Sequence, residues 1–404
     1  MIKTIPDSRG NDSSVSAVRE KIMKQLAELE QHSVQEDGLF HRNVQALSRV
    51  LGLSCVEKEL LMFSALLQGS ELLRVCASAF GSISTQESCN LLASVLKVSS
   101  RKVRQALAKD GALASSGLIR RIGDMFHAGN VFLSGNLGEA LSPIDGLHDA
   151  LLNEHTDLLR MFTRQFRPSA NGDLTLQDFP HLQRDIGLLR RLITETIQKE
   201  EKGVNVLVYG PPGTGKTEFV KAMVADFGGC LFEVSDEDER GGSASKSERL
   251  RAYQLCQRMV SRVCGNLILF DEIEDVFPES EWGWWARRSK AGADKAWTNR
   301  LLETNPVPAF WLSNNIAHID PAFLRRFTYC LELRIPPQSV RRRVVEKSVA
   351  GLPVSGEWAS RVSKSEHLSP GLIKQACRVA KLAGVADQVE AETMIQKTLE
   401  NSLK

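Results

Sequence analysis

The chain has 404 residues, 42% of them hydrophobic and 25% charged, with a formal net charge of +2. That length accommodates two or three domains with real cores, and a balance this near neutrality removes any global electrostatic argument for nucleic acid or an anionic membrane. The eight cysteines (Cys55, Cys76, Cys89, Cys230, Cys256, Cys264, Cys330 and Cys377) are scattered, with no CxxC pair and no His at zinc-ligand spacing. This argues against a disulfide scaffold or a zinc site and for thiols in a reducing compartment.

The opening MIKTIPDSRGNDSSVS (1–16) is polar and reads as disordered. It lacks the basic-then-apolar layout of a signal peptide, and no apolar run reaches bilayer-spanning length, so a cytoplasmic protein without a membrane partner is expected. Over 17–165, stretches such as VREKIMKQLAELEQ, EKELLMFSALLQ and ESCNLLASVLKV repeat apolar residues at three and four, predicting a helical N-terminal domain. Within it, 87–122 has the outline of a helix-turn-helix with a wing after it. Arg101, Lys102 and Arg104 would open the second helix, where base or phosphate contacts are made, although such hairpins also serve as protein adaptors. Residues 166–180 (FRPSANGDLTLQDFP) combine Pro, Gly and Asn as a linker does.

From 181 to 336 the texture changes. VNVLVYG (204–210), CLFEVS (230–235), NLILFDE (266–272) and AFWLSNN (309–315) are short apolar runs between helical spacers, the pattern of buried parallel strands. The first runs into Gly210, Pro211, Pro212, Gly213, Thr214, Gly215, Lys216 and Thr217, followed by the helical EFVKAMVADF. This fits G-x-x-x-x-G-K-[ST] in the strand–loop–helix context that the motif needs. Its glycines let backbone N–H groups turn inward around phosphate oxygens at a helix N-terminus, where the dipole also favours negative charge. ATP and Mg²⁺ are the expected cofactors, with Lys216 on the β and γ phosphates and Thr217 on the metal.

LILFDEIED then delivers Asp271 to the metal side of the phosphates, and Glu272 is placed to orient and deprotonate an attacking water. Alone, an acidic pair ending a strand is as readily a helix cap or a surface charge; beside a phosphate loop it is read as catalytic. The strand FWLSNN ends in polar amides at Asn314 and Asn315, DPAFLRRF follows, and beyond Pro336 the chain is helical through 337–404, a small lid.

GPPGTGKT, FDEIED and SNNIAHIDPAFLRRF, in that order, resemble the ATPase module of AAA+ proteins, closest to the AAA clade that includes FtsH and katanin. The resemblance covers about 175 to 404 and leaves the first 165 residues unassigned. It implies an α/β P-loop core with a parallel sheet and a C-terminal helical lid, an ATPase activity, and self-association as a hexameric ring. Asn314 matches the sensor asparagine that positions the hydrolytic water. Arg325 and Arg326 match the arginines that reach a neighbouring subunit's nucleotide; the clade separates its pair by Pro-Gly, and here they are adjacent, so either is the candidate finger. In the lid, LSPGLIKQACRVAK (368–381) has no Arg at its helix start, where many AAA+ proteins keep a nucleotide sensor, and offers Lys374 instead. In threading members the segment before KSERLRAY carries an aromatic pore loop, whereas here it is ERGGSAS, without an aromatic. Trp282, Trp284 and Trp285, next to Arg287, Arg288 and Lys290, fall where the family has a second pore loop. They would contact polypeptide, stack on bases, or pack against the N-terminal domain or a neighbouring subunit.

The expected function is an ATP-hydrolysing machine that remodels a protein or protein complex chosen by the N-terminal domain. The alternatives are a nucleic-acid-associated ATPase (a loader, transposition helper or defence component) that binds DNA through 87–122, and a nucleotide-gated scaffold.

Overall fold

The computed structural model describes residues 38–81, 83–108, 111–119, 141–155, 157–238, 241–263, 265–277 and 291–403, with Lys24, Glu28 and Leu137 as isolated positions. The N-terminal stretch expected to be disordered lies outside the described residues.

The first described helices are α1 (Leu39–Leu51), α2 (Cys55–Gly69), α3 (Glu71–Ser78), α4 (Thr85–Val95), α5 (Ser100–Ala106), α6 (Ala112–Ser115) and α7 (Leu147–Leu152). Two of them start at sequence-encoded capping boxes, Ser54 with Glu57 and Ser84 with Glu87, which satisfy backbone donors that a helix leaves open. Glu57 also accepts the Leu113 N–H at 2.9 Å, so the carboxylate that starts α2 holds the start of α6. The turn between α4 and α5 is tight, with Lys97 at φ +52°. Arg101, Lys102 and Arg104 on α5 are exposed, and Arg104 hydrogen-bonds Gln86 on α4. Within the expected helix-turn-helix segment 87–122, residues 109–110 and 120–122 lie outside the described residues.

The sheet comprises β1 (Phe166–Pro168), β2 (Asn205–Tyr209), β3 (Cys230–Val234), β4 (Asn266–Phe270), β5 (Ala309–Ser313) and β6 (Tyr329–Glu332), in the order β1-β3-β4-β5-β2-β6. Five strands are parallel: four are the buried apolar runs, and β6 is a fifth that the sequence pattern did not mark. The sixth, β1, pairs antiparallel with β3, placing Phe166 opposite Val234. The segment expected as a linker therefore supplies an edge strand, then two 3-10 turns (Leu176–Asp178 and Pro180–Leu182) that lead into α8 (Gln183–Lys199). The remaining core helices are α9 (Lys216–Phe227), α10 (Lys246–Val260), α11 (Ala291–Thr304) and α12 (Pro321–Leu324).

Strand alternation divides the interior into two layers. Val206, Val208, Leu267, Leu269, Phe310 and Leu312 face a core closed by α8 and α9. Leu207, Ile268, Phe270, Ala309 and Trp311 face the other, which continues through Tyr253 and Cys256 of α10 into Leu47, Leu60, Leu92 and Leu151 of the N-terminal helices. The N-terminal region thus shares a core with the sheet instead of hanging from a linker. Polar contacts reinforce the seam. The Arg251 guanidinium donates to the carbonyls of Gly117, Leu118 and Ser142 at 3.3, 3.4 and 3.4 Å, and Arg258 donates to the Ser115 hydroxyl at 3.0 Å.

Inside this second layer the Asn205 amide donates to the Leu302 carbonyl at 2.6 Å and to Asn305 Oδ1 at 3.1 Å, while its oxygen accepts Trp311 Nε1–H at 2.9 Å. Buried polar groups need such partners, and these fix β2, β5 and α11 in one register. The lid is built from α13 (Gln338–Ser348), α14 (Gly356–Lys364), α15 (Pro370–Leu382) and α16 (Gln388–Ser402), around Val345, Trp358, Ile373 and Ile395. Lys347 on α13 pairs with Asp178 at 2.7 Å, tying the lid to the entry of α8. Among the described residues no single helix is long and apolar enough to cross a membrane; the bent pair α2–α3 meets that length and composition only jointly, and α2 contributes Leu60, Leu61 and Ala65 to the core.

Gly117 tests the seam. It sits at φ +80°, and a Cβ there would stand 2.5 Å from the Arg251 carbonyl oxygen. Gly117→Ala is expected to cost about 1–2 kcal/mol from backbone strain alone, with more from the clash. The loss should appear as a lower urea midpoint, and an unchanged midpoint would mean that the N-terminal helices do not rest on α10 in solution.

Candidate nucleotide site at the carboxyl ends of the strands

β2 runs directly into the glycine-rich loop. Gly210 has φ +145°, and a Cβ there would meet the Leu333 carbonyl oxygen at 2.0 Å, so only glycine lets the loop pass β6. Gly213 and Gly215 also have positive φ, +76° and +93°. α9 then starts at Lys216 with no side-chain N-cap, which leaves its first amides and the positive end of its dipole facing the loop.

Lys216 is buried, and its ammonium donates to the Gly210 carbonyl at 2.8 Å, the Pro211 carbonyl at 3.1 Å and Asn314 Oδ1 at 2.8 Å. Burial pulls its pKa below the usual lysine range, against the opposing charges of Asp271 and Glu274. Thr214 turns its hydroxyl back to the Pro211 carbonyl at 2.9 Å, while Pro211 and Pro212 lie exposed on the outer side of the loop. The Thr217 hydroxyl donates to Asp271 Oδ2 at 3.3 Å. Burial raises the Asp271 pKa above the ordinary carboxylate value; the Glu272 N–H, Thr217 and Lys216 oppose this, and Glu274 adds to it.

Glu272 is exposed and adopts the left-handed conformation, φ +51° and ψ +64°, with its N–H donating to Asp271 Oδ1 at 2.8 Å. One strand over, the Asn314 N–H and the Ser313 hydroxyl (3.0 Å) donate to the Glu274 carboxylate. From the lid, the Gly371 N–H donates to the Gly213 carbonyl at 2.8 Å. A Cβ on Gly371 would lie 2.8 Å from Gly213 Cα, so the lid meets the loop backbone to backbone. Lys374 is exposed on α15.

The structure thus gathers Gly210 to Thr217, Asp271, Glu272 and Asn314 at one end of the sheet. It keeps the two arginines apart from them: Arg326 pairs with Glu303 of α11 at 2.6 Å, while Arg325 is exposed with no ion pair among the described residues. Trp282, Trp284 and Trp285 lie outside the described residues. The segment before α10 is more than a connector. Glu237 bridges Ser243, the Asp238 N–H donates to the Gly242 carbonyl at 2.8 Å, and Asp238 Oδ1 accepts the Gly242 N–H at 2.7 Å, closing a short hairpin. Its root is pinned where the Ser235 N–H donates to the Gln165 carbonyl at 2.9 Å.

Sequence reasoning missed two residues here. Glu274 orients the loop that carries Asn314, and Arg249 of α10 donates to the carbonyls of Asp271 and Glu272. The only signal was their charge on otherwise buried faces.

The donors fit the expected ligands. Three glycines in conformations that suit a phosphate-cradling loop, an uncapped helix start and a buried ammonium suit a polyphosphate. A hydroxyl beside a carboxylate offers the hard oxygen ligands that Mg²⁺ takes.

Residues 206–335 match the family model described as "ATPase family associated with various cellular activities (AAA)". This stretch is an AAA ATPase domain, in an α/β core with a helical lid and a preceding helical region. The chain is 30% identical over 183 residues to a 26S proteasome regulatory subunit homologue of Methanocaldococcus jannaschii, covering 42% of this chain and 47% of that one. It is 27% identical over 197 residues to a cell division cycle protein 48 homologue of Archaeoglobus fulgidus, covering 45% and 26%. The chain therefore spans less than half the length of these curated relatives. A solved structure titled as a HORMA:CdnC:Trip13 complex of E. coli MS115-1 overlays with a TM-score of 0.44 at 13% identity, covering 59% of this chain and 96% of that one.

The raised Asp271 pKa has a sign that can be measured. A carboxyl whose folded pKa exceeds its unfolded value favours folding while protonated, and that contribution is lost as pH rises through the folded pKa. Above its folded pKa the ionised, half-buried Asp271 is therefore a burden on the ligand-free fold. Asp271→Asn should raise the melting midpoint of the nucleotide-free protein, with the gain over the wild type growing as pH rises through the folded pKa. The same variant should lose any Mg²⁺-dependent stabilisation by ATP. A lower midpoint would show that Asp271 supports the fold.

Proposed function

We propose that the chain hydrolyses ATP as a ring-forming AAA+ machine that remodels a protein or protein complex, with target choice by its helical N-terminal region. One observation carries this reading: at the mouth of a glycine-rich loop Lys216 bonds Asn314 and the next residue, Thr217, bonds Asp271. One relative above is named as a 26S proteasome regulatory subunit homologue, which supports a protein target.

In this reading the loop amides and Lys216 hold the triphosphate, and Thr217 with Asp271 would hold Mg²⁺, which neutralises phosphate charge when bound. Glu272, exposed beside Asp271, takes the proton of the attacking water, and Asn314 orients that water. Lys216 bonds Asn314, which links the phosphate grip to the water-positioning residue. An arginine completes the charge stabilisation from a neighbouring copy, which makes turnover depend on assembly. Arg325 suits that role better than Arg326, because Arg326 is already committed to Glu303 within its own chain. Its adjacency to Arg326 replaces the Pro-Gly spacing of the resembling clade.

Two experiments follow. Lys216→Ala should abolish binding of a fluorescent ATP analogue, while Glu272→Gln should bind it and lose turnover; unchanged affinity in the lysine variant would sink the phosphate-loop assignment. ATPase rates measured with an unfolded protein, duplex DNA and single-stranded DNA side by side test the target class. The exposed Arg101 and Lys102 on α5 favour the nucleic-acid reading, and stimulation by DNA with a steep salt dependence would select it.

For the finger, Arg325→Ala should lose turnover, by about 10³-fold if it acts as trans arginines do, with nucleotide affinity retained. Mixing it with Glu272→Gln subunits should restore part of the activity. Full turnover in Arg325→Ala alone would return the role to Arg326 or remove it.

A further inference from the structure

Arg249 is 5% exposed in the first turn of α10, with its guanidinium over the Phe270 ring, 4.5 Å from the centroid. Nη1 donates to the Glu272 carbonyl at 2.9 Å, and Nη2 donates to the Asp271 carbonyl. In an extended strand, successive carbonyls point to opposite sides. Here two successive carbonyls meet one planar fork because Glu272 is turned into the left-handed region, φ +51° and ψ +64°. For a residue with a Cβ that conformation costs about 1–2 kcal/mol, and charge-assisted hydrogen bonds from a buried guanidinium are the interactions that offset it. Backbone twist and guanidinium fork therefore define each other.

We propose that Arg249 is a positioning residue for ATP hydrolysis: by gripping the carbonyls of Asp271 and Glu272 it fixes the left-handed turn that aims the Glu272 carboxylate at the attacking water. The proposal rests on the reading of Glu272 as the general base. Arg249 touches neither nucleotide nor water in this scheme and acts only through Glu272. Its own helix is held from the opposite side, where Arg251 binds the Gly117, Leu118 and Ser142 carbonyls of the N-terminal region. The clamp is thus anchored to a fixed support. Lysine is no substitute for a two-pronged planar donor, and a methionine keeps the stem's volume without any donor.

The test compares the full chain with Arg249→Met, Arg249→Lys, Glu272→Gln and Arg249→Met/Glu272→Gln. It reads kcat, KM, affinity for a fluorescent ATP analogue and the melting midpoint. Arg249→Met should lower kcat by at least about tenfold, the scale of a small misplacement of a reacting group, with KM and analogue affinity unchanged within about twofold. Arg249→Lys should fall between it and the wild type. Adding Arg249→Met to Glu272→Gln should cost nothing more, because the two substitutions remove the same function. A folded Arg249→Met at wild-type kcat overturns the proposal, as do a loss confined to nucleotide affinity and an additive loss in the double variant. If the methionine variant does not fold, Arg249→Lys decides by the same split: full kcat overturns the proposal, and reduced kcat at unchanged affinity supports it. Wild-type turnover that survives Glu272→Gln defeats the general-base reading, whereas turnover lost in Glu272→Gln but kept in Arg249→Met defeats the positioning role alone.

Discussion

A parallel sheet presents apolar side chains on both faces and must be covered twice. In this chain α8 and α9 close one face, while α10 and the N-terminal helices close the other. The remaining architecture follows from that second cover. Because Leu207, Ile268, Phe270 and Trp311 need a partner layer, the N-terminal helices are drawn into the same core, and α10 lies between them and the strands that carry the chemistry.

That position gives α10 two jobs. One side presents Arg249 to the carbonyl ends of Asp271 and Glu272; the other accepts the Gly117 turn and presents Arg251 to three N-terminal carbonyls. The helix also begins directly after the Glu237–Ser243 hairpin, whose root is pinned to Gln165 next to β1. Hairpin, acidic turn and N-terminal cover are consequently parts of one packed unit. The lid is a separate core that meets the loop where the Gly371 N–H donates to the Gly213 carbonyl, and meets the approach to α8 through Lys347 and Arg343 with Asp178. A contact made between two glycines brings the two backbones together with no side-chain bulk between them.

Charge placement within the cluster is economical with water. Lys216 and Asp271 are both substantially buried, and burial pushes both toward their neutral forms. Lys216 is held by the hydrogen bonds it donates to Gly210, Pro211 and Asn314, and Asp271 by those it accepts from Thr217 and the Glu272 N–H. A polyphosphate with its metal would supply opposite charge to both.

The sequence by itself determined four of the five parallel strands, through four apolar runs, and the glycine-rich loop, through the G-x-x-x-x-G-K-[ST] spacing that follows the first of them. It also determined that Asp271, Glu272 and Asn314 sit at strand ends, since each directly follows a buried run. These are local properties, in which spacing and chemistry suffice. Tertiary structure alone decided the rest. Phe166–Pro168 became an edge strand because β3 had an open edge to satisfy, whatever the loop-like composition around it. Glu274 and Arg249 acquired partners 39 to 41 and 22 to 23 residues away, distances over which no periodicity reports. Arg325 and Arg326, identical in sequence terms, were separated by one carboxylate, Glu303, that only the packing of α11 brings near. Long-range pairing of polar groups follows from where the two sheet faces are covered, and that is settled by the whole chain.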